Sequence, residues 1–442
     1  MELTTHSHIA TPTVETLHRH FGERVSLNGF VETVRDQKRM QFLILNARGG
    51  AVQITHEKTA ATDRLGLDIS SLTPGSAVSV TGVVREAPGV RLNGLEIEAS
   101  EILIHSLAST PAPIAPDSSL EKQIDWRFLG LRRPEQRLIF EVQTTLERAM
   151  RDYWARAGFM EIHSPKLMGT FSESGAEAFK VKYFDRTAYL AQSPQFYKQM
   201  AMAAGFDRVF EIGPAFRAEP SFTSRHETEF TSIDMEVAWT ASHHDLMALE
   251  EAWLTGALAE VAKVHGAELE ALLGVQIDLP KSPFPKVTMQ EAQAIVRASG
   301  HVPTKADDLD PEGERRLSAH IAREHGHQFV FVTDYPISAR PFYHRRHVDR
   351  PHLTQSFDLL WNGVEITTGA QREHRYEPLR AQAAERGYDL EPLRSYLDFF
   401  RYGCPPHGGM GVGLARLLMM MLQRSSVREV TFLSRSPTRL TP

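Results

Sequence analysis

The segment Ser109-Thr-Pro111-Ala-Pro113-Ile-Ala-Pro116-Asp-Ser118 constrains this chain more than any other stretch of it. Prolines so close together cannot supply the backbone donors of a helix interior or a central strand, so the run reads as an exposed, semi-stiff linker. The chain must then pack as separate bodies, and its apolar patterning changes across the break. Before it, residues 25–31, 40–45, 51–55, 78–84 and 95–104 alternate or run apolar, with turns at Ala47-Arg48-Gly49-Gly50 and Pro88-Gly89. Short strands at that spacing, with helical patterning only near residues 57–67, predict a small β-barrel. After it, Leu138, Phe140, Val142, Leu146, Ala149, Met150, Tyr153 and Trp154 fall close to helical spacing within residues 137–157. Strand-like runs follow at residues 209–212, 231–238, 329–332, 357–361 and 364–367, with further helices expected at residues 243–265 and 414–423. That mixture predicts an α+β domain around an antiparallel sheet. The expected domains are residues 1–106, a linker at 107–124, and residues 125–442.

A chain of 442 residues has room for several cores, and 42% hydrophobic with 24% charged residues excludes a largely disordered one. No apolar run reaches the roughly 18–20 residues of a membrane span, and the late stretch at residues 414–420 is interrupted by Arg416. The first residues lack a basic stretch leading into an apolar one, so no secretory leader is expected. Cys404 is the one cysteine, which excludes an intrachain disulfide and a thiolate metal cluster. A cytoplasmic enzyme with no membrane partner is the simplest expectation. The net charge of −6 does not announce a nucleic-acid binder, although a local basic patch can hold phosphates on an acidic molecule.

Several motifs read as structure rather than chemistry. Gly408-Gly-Met-Gly411-Val-Gly413 resembles a dinucleotide loop but lacks the preceding hydrophobic strand and the spaced acidic residue. The histidines of His344-Arg-Arg-His347 and His352 read as a solvated basic loop, and His18, His20, His243 and His244 read as surface. Three segments carry more. Gly213-Pro-Ala-Phe-Arg217-Ala-Glu219, followed by Thr223-Ser-Arg225-His226 and Glu229-Phe230-Thr-Ser-Ile-Asp234-Met-Glu236, reads as a strand, a polar turn and a returning strand. Such a hairpin can set two guanidiniums and an aromatic face around a polyanion with a planar base, because arginine binds phosphate bidentately and stays charged. Taken alone, it reads equally well as an exposed, salt-bridged hairpin. The second is Pro405-Pro-His407-Gly-Gly-Met-Gly-Val-Gly413-Leu-Ala-Arg416, and the third is Gly158-Phe-Met-Glu-Ile-His-Ser164-Pro165-Lys166 after the amphipathic helix.

Together these resemble motifs 2, 3 and 1 of a class II aminoacyl-tRNA synthetase. Gln192-Ser193-Pro-Gln195-Phe-Tyr-Lys198-Gln199, Arg340-Pro-Phe-Tyr343, Ser356-Phe-Asp358 and Glu365-Ile-Thr-Thr368-Gly-Ala-Gln-Arg372 are similar to segments of the aspartate-specific branch. The resemblance implies an OB-fold that reads the anticodon, joined to a catalytic antiparallel sheet flanked by helices. Only residues 266–328 are available for an insertion between motifs 2 and 3, so the chain resembles the shorter archaeal and eukaryotic type.

That family joins L-aspartate to ATP as aspartyl-adenylate, then moves the aspartyl group to the 3′ end of tRNA(Asp). The resemblance implies that Arg217 is catalytic, meeting the α-phosphate. Glu219, Arg225, His226, Phe230, Glu365 and Arg416 would join it in binding ATP, with Phe230 stacking on adenine. Asp358 and Glu365 are implied as Mg²⁺ ligands, although two carboxylates read alone are as readily ordinary surface groups. Glu173, Ser193, Gln195, Lys198, Asp234, Thr368 and Arg372 are implied to line the aspartate pocket. Lys198 and Arg372 would pair with the side-chain carboxylate, which the neutral amide of asparagine cannot replace. In the barrel, Phe42 is implied to stack on an anticodon base, with Arg35 and Gln53 as polar readers. A homodimer joined through motif 1, including Pro165, is also implied.

Some positions depart from the family. Phe30 stands where Trp is usual, and Asn46-Ala47 where Arg-Asp is usual, both in or beside the anticodon reader. Ala415 replaces an acidic residue, and Thr368 a serine. Pro88 lies in the barrel loop that, in this family, helps decide whether tRNA(Asn) is charged as well. Charging of both tRNAs therefore stands as a second hypothesis. An asparagine-specific ligase, a paralogue acting without tRNA, and a catalytically dead tRNA-binding regulator are the competing ones. Lys198 argues against the first, the barrel against the second, and the presence of Arg217, Arg225, Asp358, Glu365 and Arg416 against the third.

Overall fold

Period-two alternation closes the N-terminal barrel. In the computed structural model, which describes residues 12–59, 63–173, 177–220 and 223–442, the chain forms two compact units, Met1–Gln136 and Arg137–Pro442. In the first, β1 (Arg24–Asp36), β2 (Met40–Ala47), β3 (Gly50–Glu57), β4 (Ala77–Glu86) and β5 (Leu95–Ser106) close in the order β1-β2-β3-β5-β4. Leu27, Leu43, Leu45, Val52, Ile54, Val80 and Ile97 point inward and are almost fully buried, each contributing about 1.5–3 kcal/mol. Gly29 is required by close approach, because a Cβ there would sit 2.5 Å from the Asn46 carbonyl oxygen.

The helix expected near residues 57–67 is displaced. Strand β3 runs to Glu57, and the helix occupies Arg64–Ser71 because the Asp63 carboxylate accepts from the Gly66 N–H and caps it. Residues 60–62 lie outside the described residues.

The second unit contains β6 (Met160–Glu161), β7 (Leu167–Met168), β8 (Lys180–Tyr183), β9 (Arg186–Leu190), β10 (Arg208–Phe216), β11 (Glu229–Ala238), β12 (Lys286–Thr288), β13 (Phe329–Thr333), β14 (Ser356–Trp361), β15 (Val364–Gln371) and β16 (His407–Gly413). Eight strands form one sheet in the order β12-β13-β14-β15-β16-β11-β10-β6, antiparallel at its centre and parallel at both edges. Strands β7, β9 and β8 form a small second sheet.

Helices Pro134–Arg156, His243–Glu268 and Leu414–Met421 share one hydrophobic core with the large sheet, packing Leu146, Trp154, Trp253 and Leu417 against Ile233, Met235 and Leu359. Strand alternation then turns Ser232, Asp234 and Glu236 of β11 to the opposite face. A β-bulge on β15 opposes Leu359 to Thr367 and Leu360 to Glu365, leaving Ile366 as the extra residue.

Two histidines expected at the surface are buried. His243 is 3% exposed at the start of its helix, packed against His244 and His347, and burial lowers its pKa to about 3. His344 is 2% exposed and does not belong to a solvated loop.

Candidate active site

The hairpin of β10 and β11 supplies the first wall of a cavity of about 480 Å³. Arg217 follows β10 directly, and its N–H donates to the Thr228 carbonyl across the turn. Its guanidinium lies 5.5 Å from the Phe230 ring centre, Phe230 standing on the returning strand opposite Ala215. Arg225 leaves the same turn and donates through Nη1 to Glu314 Oε2 at 2.5 Å and through Nη2 to the Gly363 carbonyl at 2.9 Å. Burial first, then the negative charge of Glu365, pushes Glu314 up to about 7. His226 lies 3.6 Å from Glu219, and burial lowers its pKa.

The opposite wall comes from β15, β16 and the helix after them. The bulge brings Glu365 and Thr368 together, so that the Thr368 hydroxyl donates to Glu365 Oε1 at 3.0 Å. Arg416, in the first turn of its helix, donates to the Glu365 carbonyl at 3.0 Å and to the Arg225 carbonyl at 3.3 Å. Burial would raise the Glu365 carboxyl, but Arg416 and Arg340 outweigh it and hold it below the usual range. Asp358, paired with Thr368 across the strands, does not line the cavity, and its Oδ2 lies 2.7 Å from Arg340. Its Oδ1 is buried without a satisfied hydrogen bond among the described residues.

The floor is a buried ion network. Lys198 Nζ donates to Asp234 Oδ1 at 2.8 Å and to the Met410 carbonyl at 3.1 Å, and lies 3.4 Å from Glu236 Oε2. Arg372 Nε donates to Glu236 Oε1 at 3.0 Å. One carboxylate, Glu236, therefore holds both cations side by side. Burial would raise it, but Arg372 and Lys198 pull it down, so it stays ionised. Strand β16 can pass this close only as glycine, since a Cβ at Gly409 would lie 2.1 Å from Glu236 Oε2 and from the Met235 carbonyl. At the rim, Ser193 and Tyr343 donate to the Glu173 carboxylate and Tyr388 to its backbone carbonyl. Gln195 donates to Gln199.

The cavity thus gathers Glu173, Ser193, Gln195, Lys198, Arg217, Glu219, Arg225, His226, Phe230, Asp234, Glu365, Thr368, Arg372 and Arg416. Arg35, Phe42 and Gln53 lie elsewhere, on the outer face of the barrel. Phe42 stands opposite Arg35 on β1 and Thr55 on β3, while Leu43 and Leu45 fill the interior. Gln53 donates to Glu96. The departures nearby share one partner, for Arg132 stacks 3.9 Å over Phe30 and its carbonyl accepts from Asn46.

Sequence reading missed Glu236, Glu227 and His344. Glu236 was accessible, since it shares a strand face with Asp234. Glu227 lines the cavity, accepts from Thr431, and is pushed to about 7 by burial. No local signal marks His344, which meets Arg372 only through the fold.

Arginines and carboxylates face one another in this cavity over an antiparallel sheet, an arrangement whose charges suit a polyanion beside a small charged molecule. The pattern for class II tRNA synthetases (D, K and N) matches residues 119–437, and that for the OB-fold nucleic acid binding domain matches residues 25–104. The chain belongs to the class II aminoacyl-tRNA synthetases. It is 40% identical over 427 residues to the aspartate–tRNA(Asp/Asn) ligase of Aeropyrum pernix, covering 95% of this chain and 96% of that one. It is 40% identical over 425 residues to the aspartate–tRNA(Asp) ligase of Thermococcus kodakarensis, covering 95% and 97%. Among solved structures, asparaginyl-tRNA synthetase from Pyrococcus horikoshii complexed with asparaginyl-adenylate aligns with a TM-score of 0.90 at 30% identity, covering 98% and 100%. Aspartyl tRNA synthetase from Entamoeba histolytica aligns with a TM-score of 0.87 at 30% identity, covering 100% and 94%.

Proposed function

We propose that this chain is an aspartate–tRNA ligase that activates L-aspartate with ATP and transfers it to tRNA(Asp). The observation that carries this reading is the pair Lys198 and Arg372 on one shared carboxylate, Glu236, at the floor of the cavity. Glu236 is shared by both cations, and Asp234, the second carboxylate on Lys198, is taken up by the substrate ammonium, so the cation pair is left to meet the aspartate side chain. Asparagine would leave that charge unmet, at a cost on the order of several kcal/mol. Asp234 receives the substrate ammonium, with Ser193, Gln195, Glu173 and Thr368 around it.

In the first step, an oxygen of the aspartate α-carboxylate attacks the α-phosphorus of ATP, and the bond to pyrophosphate breaks. Arg217 meets the negative charge that builds on the α-phosphate, as a fixed cation that needs no reorganisation. Phe230 stacks on the adenine, with Arg416 facing it, and Arg225, Arg416 and His226 hold the outer phosphates. Glu219, beside Arg217, contacts the nucleotide. In the second step, a ribose hydroxyl at the tRNA 3′ end attacks the activated carbonyl, and AMP leaves.

Of the two carboxylates implied to hold Mg²⁺, Glu365 lines the cavity, whereas Asp358 does not and is paired with Arg340. Both are hard oxygen donors, and the buried Oδ1 of Asp358 lacks a satisfied hydrogen bond among the described residues. Bound there, the ion would shield charge on the ATP phosphates. Both cations and carboxylates line the cavity, so ATP brings an excess of negative charge that such an ion offsets.

ATP–pyrophosphate exchange, run separately with aspartate and asparagine, tests the reading. Exchange with aspartate alone is expected, and exchange with asparagine alone would overturn it. Charging of tRNA(Asn) as well is favoured by one further observation: the relatives from Aeropyrum pernix and Methanopyrus kandleri carry the name aspartate–tRNA(Asp/Asn) ligase. We read the enzyme as a cytoplasmic homodimer, its exposed Pro165 lying in the joining segment.

A further inference from the structure

Arg372 is held from two sides by groups of different kind. Glu236 takes Nε at 3.0 Å and Nη2 at 3.4 Å, and His344 Nε2 lies 3.0 Å from Nη1. A guanidinium has donors only. His344 Nε2 must therefore accept, which places the ring proton on Nδ1 and makes the imidazole neutral. The ring is 2% exposed and lines the same cavity. Its backbone is pinned, because His344 forms a bridge with Arg372, its N–H donates to the Pro341 carbonyl, and its carbonyl accepts from Gln382.

We propose that His344 is a positioning residue that sets aspartate specificity, fixing the Arg372 fork through an acceptor that carries no charge. This rests on the reading of Lys198 and Arg372 as the aspartate carboxylate site. The physical point is what else could stand there. A carboxylate at position 344 would hold Arg372 equally well but would add a second negative charge to Arg372 beside Glu236, against the incoming substrate carboxylate. An aliphatic side chain would preserve the charge but free one edge of the fork, so the guanidinium would lose its aim. A neutral acceptor does neither. Burial, together with Arg372, Arg340 and Lys198, holds the imidazole well below its ordinary pKa, so the acceptor persists at physiological pH.

The test compares His344→Leu, His344→Gln and His344→Asp by pyrophosphate exchange, with aspartate and with asparagine, alongside thermal unfolding. For His344→Leu, the expected result is an aspartate KM raised about tenfold with kcat within about threefold, and a similar fall in the aspartate-to-asparagine ratio of kcat/KM. His344→Gln, a neutral side chain able to accept, should recover most of both. His344→Asp should lose at least as much discrimination as the leucine variant. Unchanged aspartate KM and ratio in the leucine variant would overturn the proposal. So would a glutamine variant as impaired as leucine with wild-type unfolding, since that would mean shape rather than hydrogen bonding matters. Should the leucine variant fail to fold, glutamine against aspartate decides, and equal discrimination in those two would overturn it. Wild-type protein that exchanges with asparagine alone would instead remove the aspartate reading itself, an outcome visible before any variant is compared.

Discussion

Glu250 is fully buried beneath the large sheet, and burial pushes its carboxyl up to about 8, with the charge of Asp358 adding to the shift. Its ordinary value is 4.5. Below that pH the group is protonated in both states; between 4.5 and about 8 the unfolded chain releases the proton and the folded chain keeps it. Stability from this group is therefore complete at low pH and falls as pH rises through that window. Glu250→Gln removes the dependence. The variant is expected to gain on the order of a few kcal/mol over wild type at about pH 8 and close to nothing near pH 5. Urea unfolding at both values checks this, and a pH-independent difference would refute it. Arg217→Ala is expected to lower kcat for pyrophosphate exchange by about 10²–10³-fold, the usual cost of losing a fixed charge stabiliser. Arg217, Lys198 and Arg372 were legible in the sequence because their motifs are local. His344 and Glu250 were not, because burial and partner are decided by distant segments.

At the scale of elements, the glycines of β16 and the bulge of β15 set the geometry. Gly409→Ala forces a Cβ into the Glu236 carboxylate and the Met235 carbonyl. The expected cost is about 2 kcal/mol or more in unfolding free energy, with a raised aspartate KM because Glu236 must move. Denaturant unfolding and exchange kinetics read these separately; an unchanged KM would show that Glu236 does not govern the cation pair. The barrel strands and the β10–β11 hairpin were legible from period-two alternation. The bulge was not: strict alternation places Glu365 and Thr368 on opposite faces, and only the register against β14 turns them to one. The displaced barrel helix shows the same limit, since apolar spacing does not reveal where a cap begins.

At the scale of the molecule, the proposed function assigns tRNA reading to the barrel and the chemistry to the second unit. Phe42→Ala, on the barrel's outer face, is expected to lower kcat/KM for tRNA(Asp) by about 10–100-fold, the worth of one stacked base. Exchange without tRNA should stay at the wild-type level, and a parallel loss in both assays would count against the anticodon role. Whether tRNA(Asn) is also charged is read from aminoacylation of its purified transcript. Light scattering is expected to report a dimer at micromolar concentration.

By itself, the sequence determined the two fold classes and pointed to the cationic residues that meet in the cavity. Proline breaks, alternation and short motifs are properties of neighbouring residues, and local physics expresses them directly. Tertiary structure alone decided that Glu236 joins Lys198 to Arg372, that Asp358 pairs with Arg340 instead of lining the cavity, and that His344 is buried. Those outcomes depend on burial and on partners brought together by sheet register, and charge in a buried site is governed by what surrounds it rather than by what precedes it in the chain.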